Sequence, residues 1–310
     1  MSGALSAFLA AELSRPAAAP AIAFADELAR IGGPTVRAVL FYGSALRTGA
    51  MDGVLDFYVL VDDLKAWPQT ALAAAGGAWL PPNVEYREFQ AAGLTLRAKI
   101  AVMRADQFRA AASVSSLDTT VWARFAQPAG LVWSRDEAAL QDAVESVAQA
   151  ASTATRWAAL LGPASGPAQA FWDALFRQTY AAELRIEPKG RERAILSAAG
   201  DRYAALLPLA WEAGGLAFAA AGDSLTPQLT EDERARGRGA WAWRRGLGKP
   251  LTVLRLMKAV FTFQGAADYA AWKIERHTGV RIDVTPWVRK HPILAAPGVA
   301  WTLWKKGVLR

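Results

Sequence analysis

A glycine–serine turn and an aspartate that follows it are the first residues of this sequence whose types and spacing suggest chemistry. Tyr42, Gly43 and Ser44 end one apolar run, and Asp56, twelve residues after Ser44, opens the next. Glycine lets the backbone approach a phosphate closely, and the Ser44 hydroxyl and the amides after it can donate to phosphate oxygens. A carboxylate beside such a turn can hold Mg²⁺ against those phosphates. The spacing therefore favours a phosphate and magnesium site. The plainer alternative is an ordinary turn and an exposed strand start.

Four cationic side chains elsewhere are candidates to bind the same phosphates. Lys99 lies on a predicted strand, Arg124 lies four residues before Pro128, and Arg255 and Lys258 are three apart on a predicted helix. That spacing suits one anionic group. Because the preceding segment is also basic, we expect phosphate there rather than an internal ion pair. Lys99 could instead extend along apolar surface to solvent, and Arg124 could be a surface arginine.

Two further carboxylates could complete a metal shell around Asp56. Asp62 ends the strand that Asp56 opens, and with Asp63 it could instead cap a following helix, whose first turn gains from negative charge. Glu85 follows Asn83 in a predicted loop, where a solvated surface carboxylate is the alternative. Both remain candidate ligands of Mg²⁺.

Hydrophobic patterning predicts a mixed sheet flanked by helices, followed by an all-α domain. The front half, residues 1–135, alternates helical and strand patterns, and the back half, residues 136–310, is helical throughout. The predicted strands cover residues 35–43, 54–63, 94–103 and 130–133. The predicted helices cover residues 20–32, 136–162, 167–185, 191–199, 203–211 and 251–277. We expect residues 203–222 to form a buried helical hairpin and residues 234–249 to form a flexible basic loop.

The composition favours an anionic partner and a reducing compartment. The 310 residues carry a net charge of +7, no cysteine and two histidines. The lack of cysteine excludes disulfides and thiolate metal sites, and two histidines disfavour a His-rich zinc site. The basic excess suits phosphate, nucleic acid or a membrane surface. We expect no secretory signal, because no basic residue precedes the N-terminal apolar run and Glu12 and Arg15 soon follow it. We expect no membrane span, because Pro208 and Glu212 interrupt the most apolar window.

The C-terminal segment has the profile of an interfacial helix. Trp301 and Trp304 recur at helical spacing beside Lys305 and Lys306, and from Arg289 onward every charge is basic. Such a segment is attracted to anionic lipid. A C-terminal helix docked on the core is an equal alternative, and the basic segment 234–249 is a second candidate for membrane contact.

The order of these motifs resembles a known family. The Gly43-Ser44 turn followed by Asp56 is similar to the Gly-Ser then Asp signature of polymerase-beta-like nucleotidyltransferases. "LDFYVLVDDLKAW" resembles the signature of the mitochondrial-type phosphatidate cytidylyltransferases, or CDP-diacylglycerol synthases. Further segments resemble that family in the same order: "FYGSALRTG", "LRAKIAVM", "VWARFAQPAGLVW", "YAAELRIEPKGRERAIL" and "VLRLMKAVFTFQGAADYAAWKI". Ala45 replaces the second glycine of the turn, and Tyr58 stands where the superfamily has a second carboxylate.

This resemblance implies a nucleotidyltransferase-like α/β domain that transfers CMP from CTP to phosphatidic acid with Mg²⁺. The residues implied as catalytic are Asp56, Lys99 and Arg185. Those implied to bind nucleotide or phosphate are Tyr42, Gly43, Ser44, Arg124, Arg255 and Lys258. The partners would be CTP, phosphatidic acid and an anionic membrane surface, with no specific nucleic acid. The protein would be cytoplasmic and peripheral on the inner face of the cell membrane. Two alternatives stay open: a nucleotidyltransferase acting on a soluble small molecule or protein, and a non-catalytic basic binder of membrane or nucleic acid.

Overall fold

The computed structural model describes residues 3–91, 93–182, 196, 199–290, 295, 298 and 301. Its helices are α1 Gly3–Leu13, α2 Ala19–Gly32, α3 Ser44–Thr48, α4 Ala71–Trp79, α5 Ala105–Ala112, α6 Thr120–Phe125, α7 Glu137–Leu161, α8 Ala168–Ala182, α9 Gly200–Ala213, α10 Glu231–Thr262, α11 Ala266–Thr278 and α12 Pro286–Lys290. Its strands are β1 Val36–Tyr42, β2 Val54–Val61, β3 Asn83–Ala91, β4 Leu94–Arg104, β5 Ala129–Ser134, β6 Gly166–Pro167, β7 Phe218–Ala221 and β8 Ser224–Pro227.

A mixed five-stranded sheet organises the front of the chain. Its strand order is β3-β4-β2-β1-β5, in which β2 and β4 run parallel and the other neighbours run antiparallel. The central strand, β2, is buried over most of its length. Its aromatic and β-branched residues suit a strand covered on both faces. The predicted mixed sheet flanked by helices is therefore confirmed.

The two faces of the sheet belong to two hydrophobic cores. Phe57 and Val59 pack into a core with α2, whereas Tyr58 and Leu60 pack into a larger core that includes α5, α6 and α7. This division follows from the alternation of side chains along a strand. Asp56 therefore lies on the same face as Tyr58, at the end of β2 where the larger core stops.

The larger core crosses the predicted domain boundary at residue 135. It joins Leu5 of α1 and Leu40 of β1 to Trp172 of α8 and Tyr203 of α9. The prediction of an all-helical back half also needs correction, because β6, β8 and β7 form a small sheet there. The second half of the expected helical hairpin 203–222 is strand β7, paired with β8.

The segment 234–249 is helical, so the prediction of a flexible basic loop is wrong. Thr230 and Glu233 form a capping box, and three acidic residues fill the first turn of α10, which stabilises the start of a helix. Two of the four glycines in this segment, Gly237 and Gly248, lie at close contacts with other helices. A Cβ on Gly237 would be 3.0 Å from a Leu160 methyl, and one on Gly248 would collide with the Ala182 carbonyl. Gly237 and Gly248 therefore allow α10 to pack closely against Leu160 and Ala182.

The described helices include none that is long and apolar enough to cross a bilayer.

Candidate functional site

The predicted site residues of three strands lie side by side across the sheet. Strand register pairs Tyr86 with Lys99, Lys99 with Asp56, Asp56 with Tyr42, and Tyr42 with Ala129. We call these five residues the central row. Neighbouring strands are about 4.8 Å apart, and paired residues point to the same face. Asp56 therefore has Lys99 on one side and Tyr42 on the other.

Gly43 lies directly against the Asp56 carboxylate. Its backbone has φ 91° and ψ −161°, which essentially only glycine adopts. A Cβ at this position would be 2.7 Å from Asp56 Oδ2, closer than any real Cβ contact. Two independent constraints, the dihedral angles and the carboxylate, thus require glycine. The next residue, Ser44, is exposed at the start of α3.

Arg124 of α6 covers the tyrosines beside Asp56. Its Nη1 donates to the Tyr58 hydroxyl at 3.0 Å, and its guanidinium carbon lies 5.3 Å from the centre of the Tyr42 ring. Burial raises the pKa of Tyr42 well above its usual value. Arg124 opposes that increase, while the Asp56 carboxylate and Tyr58 add to it. The phenol is therefore neutral at physiological pH, and a cation and a carboxylate both lie close to it.

Helix α11 covers the other side of the central row. The Lys99 Nζ is 5.4 Å from the centre of the Tyr269 ring, and Lys273 Nζ is 5.9 Å from the same ring. Tyr269 also packs against Tyr86, with ring centres 5.3 Å apart. A cation near an aromatic face is attracted by the negative face of the ring. Sequence reasoning did not nominate Tyr269 or Lys273, because no local motif links α11 to β4.

Asp62 and Glu85 do not lie with Asp56, so their assignment as metal ligands is corrected. Asp62 is six residues along from Asp56, about 20 Å at strand spacing, and forms ion pairs with Arg37 and Arg135. Glu85 is buried, pairs with Arg87 at 2.6 Å, and accepts from the Trp67 indole at 3.4 Å.

Glu85 and Asp56 lie on opposite faces of the sheet. Glu85 pairs in register with Ile100, which belongs to the core on the face opposite Tyr58. Neither carboxylate can share a metal ion with Asp56. Asp62 also starts no helix, since Asp63 accepts from the Lys65 amide in a turn and α4 begins only at Ala71.

Arg255 takes part in an internal ion pair, contrary to the preference for phosphate. Its Nη2 lies 2.5 Å from Asp118 Oδ2, and its Nε donates to the Pro81 carbonyl at 3.0 Å. Burial alone would raise the pKa of Asp118, but the Arg255 charge and hydrogen bonds from Thr120 outweigh it and hold that pKa below its usual value. The pair thus joins α10 to the segment before α6.

Lys258 likewise binds the protein's own carbonyl groups. Its ammonium donates to the Leu80 and Pro82 carbonyls at 2.6 Å and to Asn83 Oδ1 at 3.0 Å. Asn83 pairs with Val102, a residue of the opposite core. The ammonium therefore fastens α10 to the start of β3, away from the central row, and its assignment to phosphate is also corrected.

Four predicted residues lie outside the described part of the chain. These are Arg185, Trp304, Lys305 and Lys306. Trp301 is described and is 56% exposed. The proposed roles of these residues stay predictions.

The donor set around Asp56 suits a metal ion held partly by its substrate. Among the described residues, no three histidine, cysteine, aspartate or glutamate side chains converge on one point. Mg²⁺ in phosphate chemistry is commonly held by one or two carboxylates, the substrate phosphates and water. Asp56 beside the Gly43 turn fits that arrangement. A zinc site built only from protein ligands would not fit the same residues.

Neither models of protein families nor curated proteins match this chain.

Proposed function

We propose that this chain is a magnesium-dependent nucleotidyltransferase that transfers CMP from CTP to phosphatidic acid at a membrane surface, releasing pyrophosphate. The observation that carries the proposal is the contact between the Asp56 carboxylate and Gly43, with Lys99 paired in register on the adjacent strand. This geometry supports the proposal, because a carboxylate of the type that can bind Mg²⁺ lies at a turn that a phosphate could approach closely. The choice of CTP as nucleotide and phosphatidic acid as acceptor rests on the order of the sequence motifs, which resembles that of the phosphatidate cytidylyltransferases.

The proposed reaction is an in-line displacement at phosphorus. A phosphate oxygen of phosphatidic acid forms a bond to the α-phosphorus of CTP, and the bond from that phosphorus to the α–β bridging oxygen breaks. The electron pair leaves with pyrophosphate. Because the attacking phosphate is already anionic, the reaction needs positioning and charge neutralisation more than a general base. A bound Mg²⁺ would supply charge neutralisation on the departing phosphates.

The chain's own residues have separate tasks in this proposal. Asp56 holds the metal, and Gly43 lets the phosphates approach the backbone. The Ser44 hydroxyl donates to a phosphate oxygen. Lys99 binds the triphosphate or the acceptor phosphate from the adjacent strand, and Arg124, oriented by Tyr58, binds on the opposite side of Asp56.

Tyr58 favours a second candidate, a non-catalytic descendant of the same fold. The side chain at the superfamily's second carboxylate position is a phenol that is 1% exposed and hydrogen bonded to Arg124. A protein of that kind would bind lipid or nucleic acid through its basic surface. It would neither bind CTP with Mg²⁺ nor form product.

The test is product formation from radiolabelled CTP, Mg²⁺ and vesicles containing phosphatidic acid. We expect CDP-diacylglycerol from the wild type and at least a 100-fold lower rate, to order of magnitude, from Asp56→Ala. Asp52→Ala is the matched control, because Asp52 is an aspartate four residues upstream whose side chain is 80% exposed. Equal rates for Asp56→Ala and wild type would remove the metal assignment, and no product from the wild type would remove the function.

A further inference from the structure

The second half of helix α10 has its apolar side turned outward. Arg255, Lys258 and Thr262 face the protein, where they bond to carbonyls of other segments or of α10 itself. The opposite side carries a run of large exposed apolar side chains, which we call the docking face. Its members are Val253, Leu254, Leu256, Met257, Val260 and Phe261, all between 46% and 70% exposed.

This arrangement reverses the usual orientation of a surface helix. A surface helix normally turns its apolar stripe to the core and its charged side to water. Here the charged side is tied inward by ion pairing and carbonyl contacts, so rotation of the helix to bury the apolar side would break those contacts. Helix α4 extends the exposed apolar surface. It packs beside Lys258, and its last residue, Trp79, is 90% exposed. Exposed apolar surface of this extent marks an interaction site.

Beyond its first turn, α10 carries only basic charges. Between Arg234 and Ala267 the chain has no acidic residue. Arg236, Arg245 and Lys249, one to five turns before the docking face on the same helix, are exposed. Apolar side chains bordered by cations, with a nearby exposed tryptophan, suit the boundary between headgroups and acyl chains of an anionic bilayer.

The same charges argue against two other occupants. A second copy of the chain would bring the cations of two α10 helices together. The chain's own C-terminal segment, residues 289–310, carries only basic charges. Like charges at close range oppose either contact.

We propose that the docking face of α10 binds an anionic membrane surface by inserting its apolar side chains among the lipid headgroups. The proposal deepens the proposed function and rests on it for the identity of the lipid substrate, but membrane binding itself needs no chemistry. The docking face also lies near the central row. It ends at Phe261, and three residues later the Gln264 carbonyl accepts the Tyr86 N–H at 2.9 Å. Tyr86 is two strands from Asp56, about 10 Å.

The experiment is flotation with vesicles of phosphatidylcholine and phosphatidylglycerol, without CTP or Mg²⁺. The test variant is Val253→Gln/Met257→Gln/Phe261→Gln, since glutamine is polar and keeps good helix propensity. The matched control, Ile22→Gln/Leu94→Gln/Leu117→Gln, removes three exposed apolar side chains elsewhere. We expect the test variant to bind about tenfold more weakly than wild type, and the control to bind like wild type. Vesicles of phosphatidylcholine alone should bind the wild type weakly.

Several outcomes would overturn the proposal. One is flotation of the test variant to the same extent as the wild type. Another is equal binding of the wild type to neutral and anionic vesicles. Loss of a dimer in the test variant, with flotation unchanged, would assign the face to a second copy. Should the triple variant misfold by circular dichroism, Met257→Gln and Phe261→Gln made singly should each weaken binding part of the way.

Flotation and product formation separate this proposal from the proposed function. Asp56→Ala should float like the wild type, because it leaves α10 unchanged. A wild type that floats but forms no CDP-diacylglycerol would remove the proposed function and leave the docking face in place. A wild type that forms product, with a test variant that floats equally well, would remove the docking face alone.

Discussion

Replacing Gly43 with alanine puts a methyl group where the Asp56 carboxylate lies. The alanine must adopt φ 91° and ψ −161°, at a cost of about 1–3 kcal/mol. Its Cβ would be 2.7 Å from Asp56 Oδ2 and 3.4 Å from Asp56 Cγ, so the carboxylate must leave its rotamer, at about 0.5–1.5 kcal/mol. Reduced freedom of the unfolded chain returns about 0.4–1 kcal/mol. The expected net destabilisation is about 2 kcal/mol.

Gly49→Ala is the matched control at the other end of the same short helix. Gly49 also has a positive φ, 71°, but nothing lies within 4 Å of the position of its Cβ. Alanine there incurs backbone strain of about 1–2 kcal/mol and displaces no side chain. Both variants place alanine at a positive φ, but only Gly43→Ala also has the ψ of −161° that essentially only glycine adopts and the contact with Asp56.

The assays are urea denaturation and formation of CDP-diacylglycerol. Gly43→Ala should lose at least about 100-fold in rate, because the carboxylate that we propose to hold Mg²⁺ is displaced, while Gly49→Ala should keep most of its rate. In a double-mutant cycle, Asp56→Ala should cost less stability in the Gly43→Ala background than in the wild type, by about 0.5–1.5 kcal/mol. Additive stabilities, or equal rates for the two glycine variants, would refute the contact as the organising feature of the site.

Two further predictions concern ion pairs and buried charge outside the site. Arg202 binds Glu12 through two hydrogen bonds of 2.5 and 2.9 Å, and both side chains are about 90% or more buried. Arg202→Leu should therefore lower the free energy of unfolding, measured with urea, by about 3–5 kcal/mol. Arg238→Ala, at an exposed ion pair, should change that free energy little. Burial, with the charge of Arg255, lowers the pKa of Lys258 to about 8. Between about pH 8 and the usual pKa of lysine, the unfolded chain binds a proton that the folded protein has lost. In this range the stability of the wild type should therefore rise with pH relative to that of Lys258→Met. A stability difference that does not depend on pH would show that the carbonyl contacts keep the ammonium charged.

The strands that carry the site were predictable because each is a local apolar run. β1 and β2 combine β-branched and aromatic residues, β4 is mainly aliphatic, and the structure places all three close to the predicted bounds. β3 was not predicted. Its charged residues resemble a loop, but Glu85 and Arg87 pair with each other, and the strand pairs with β4 over its full length. A strand made stable by its neighbours leaves little signal in its own composition.

The local half of the site was predictable, and the half made by distant packing was not. Gly43, Ser44 and Asp56 lie within one strand–turn–strand unit, so their spacing alone suggests that they meet. Tyr269 reaches Lys99 only through the packing of α11 on the sheet. Arg255 has the spacing of a phosphate ligand, but the partner it finds, Asp118, is 137 residues away in sequence.

Tyr58, which stands where the resemblance to nucleotidyltransferases leads us to expect a second carboxylate, affects the charge of the candidate site. A second carboxylate at this position would put two negative charges on one face of β2. The phenol instead accepts a hydrogen bond from Arg124 Nη1 at 3.0 Å, so a cation lies on the face of β2 that carries Asp56. A reaction between CTP and phosphatidic acid must bring two anions together, and each cation near the reacting phosphates reduces their repulsion. In the proposed reaction, an arginine-bound tyrosine at this position would therefore favour an anionic acceptor over a neutral alcohol. Tyr58→Phe, which removes the hydroxyl that accepts from Arg124 without adding charge, should lower the rate with phosphatidic acid more than it weakens binding of CTP.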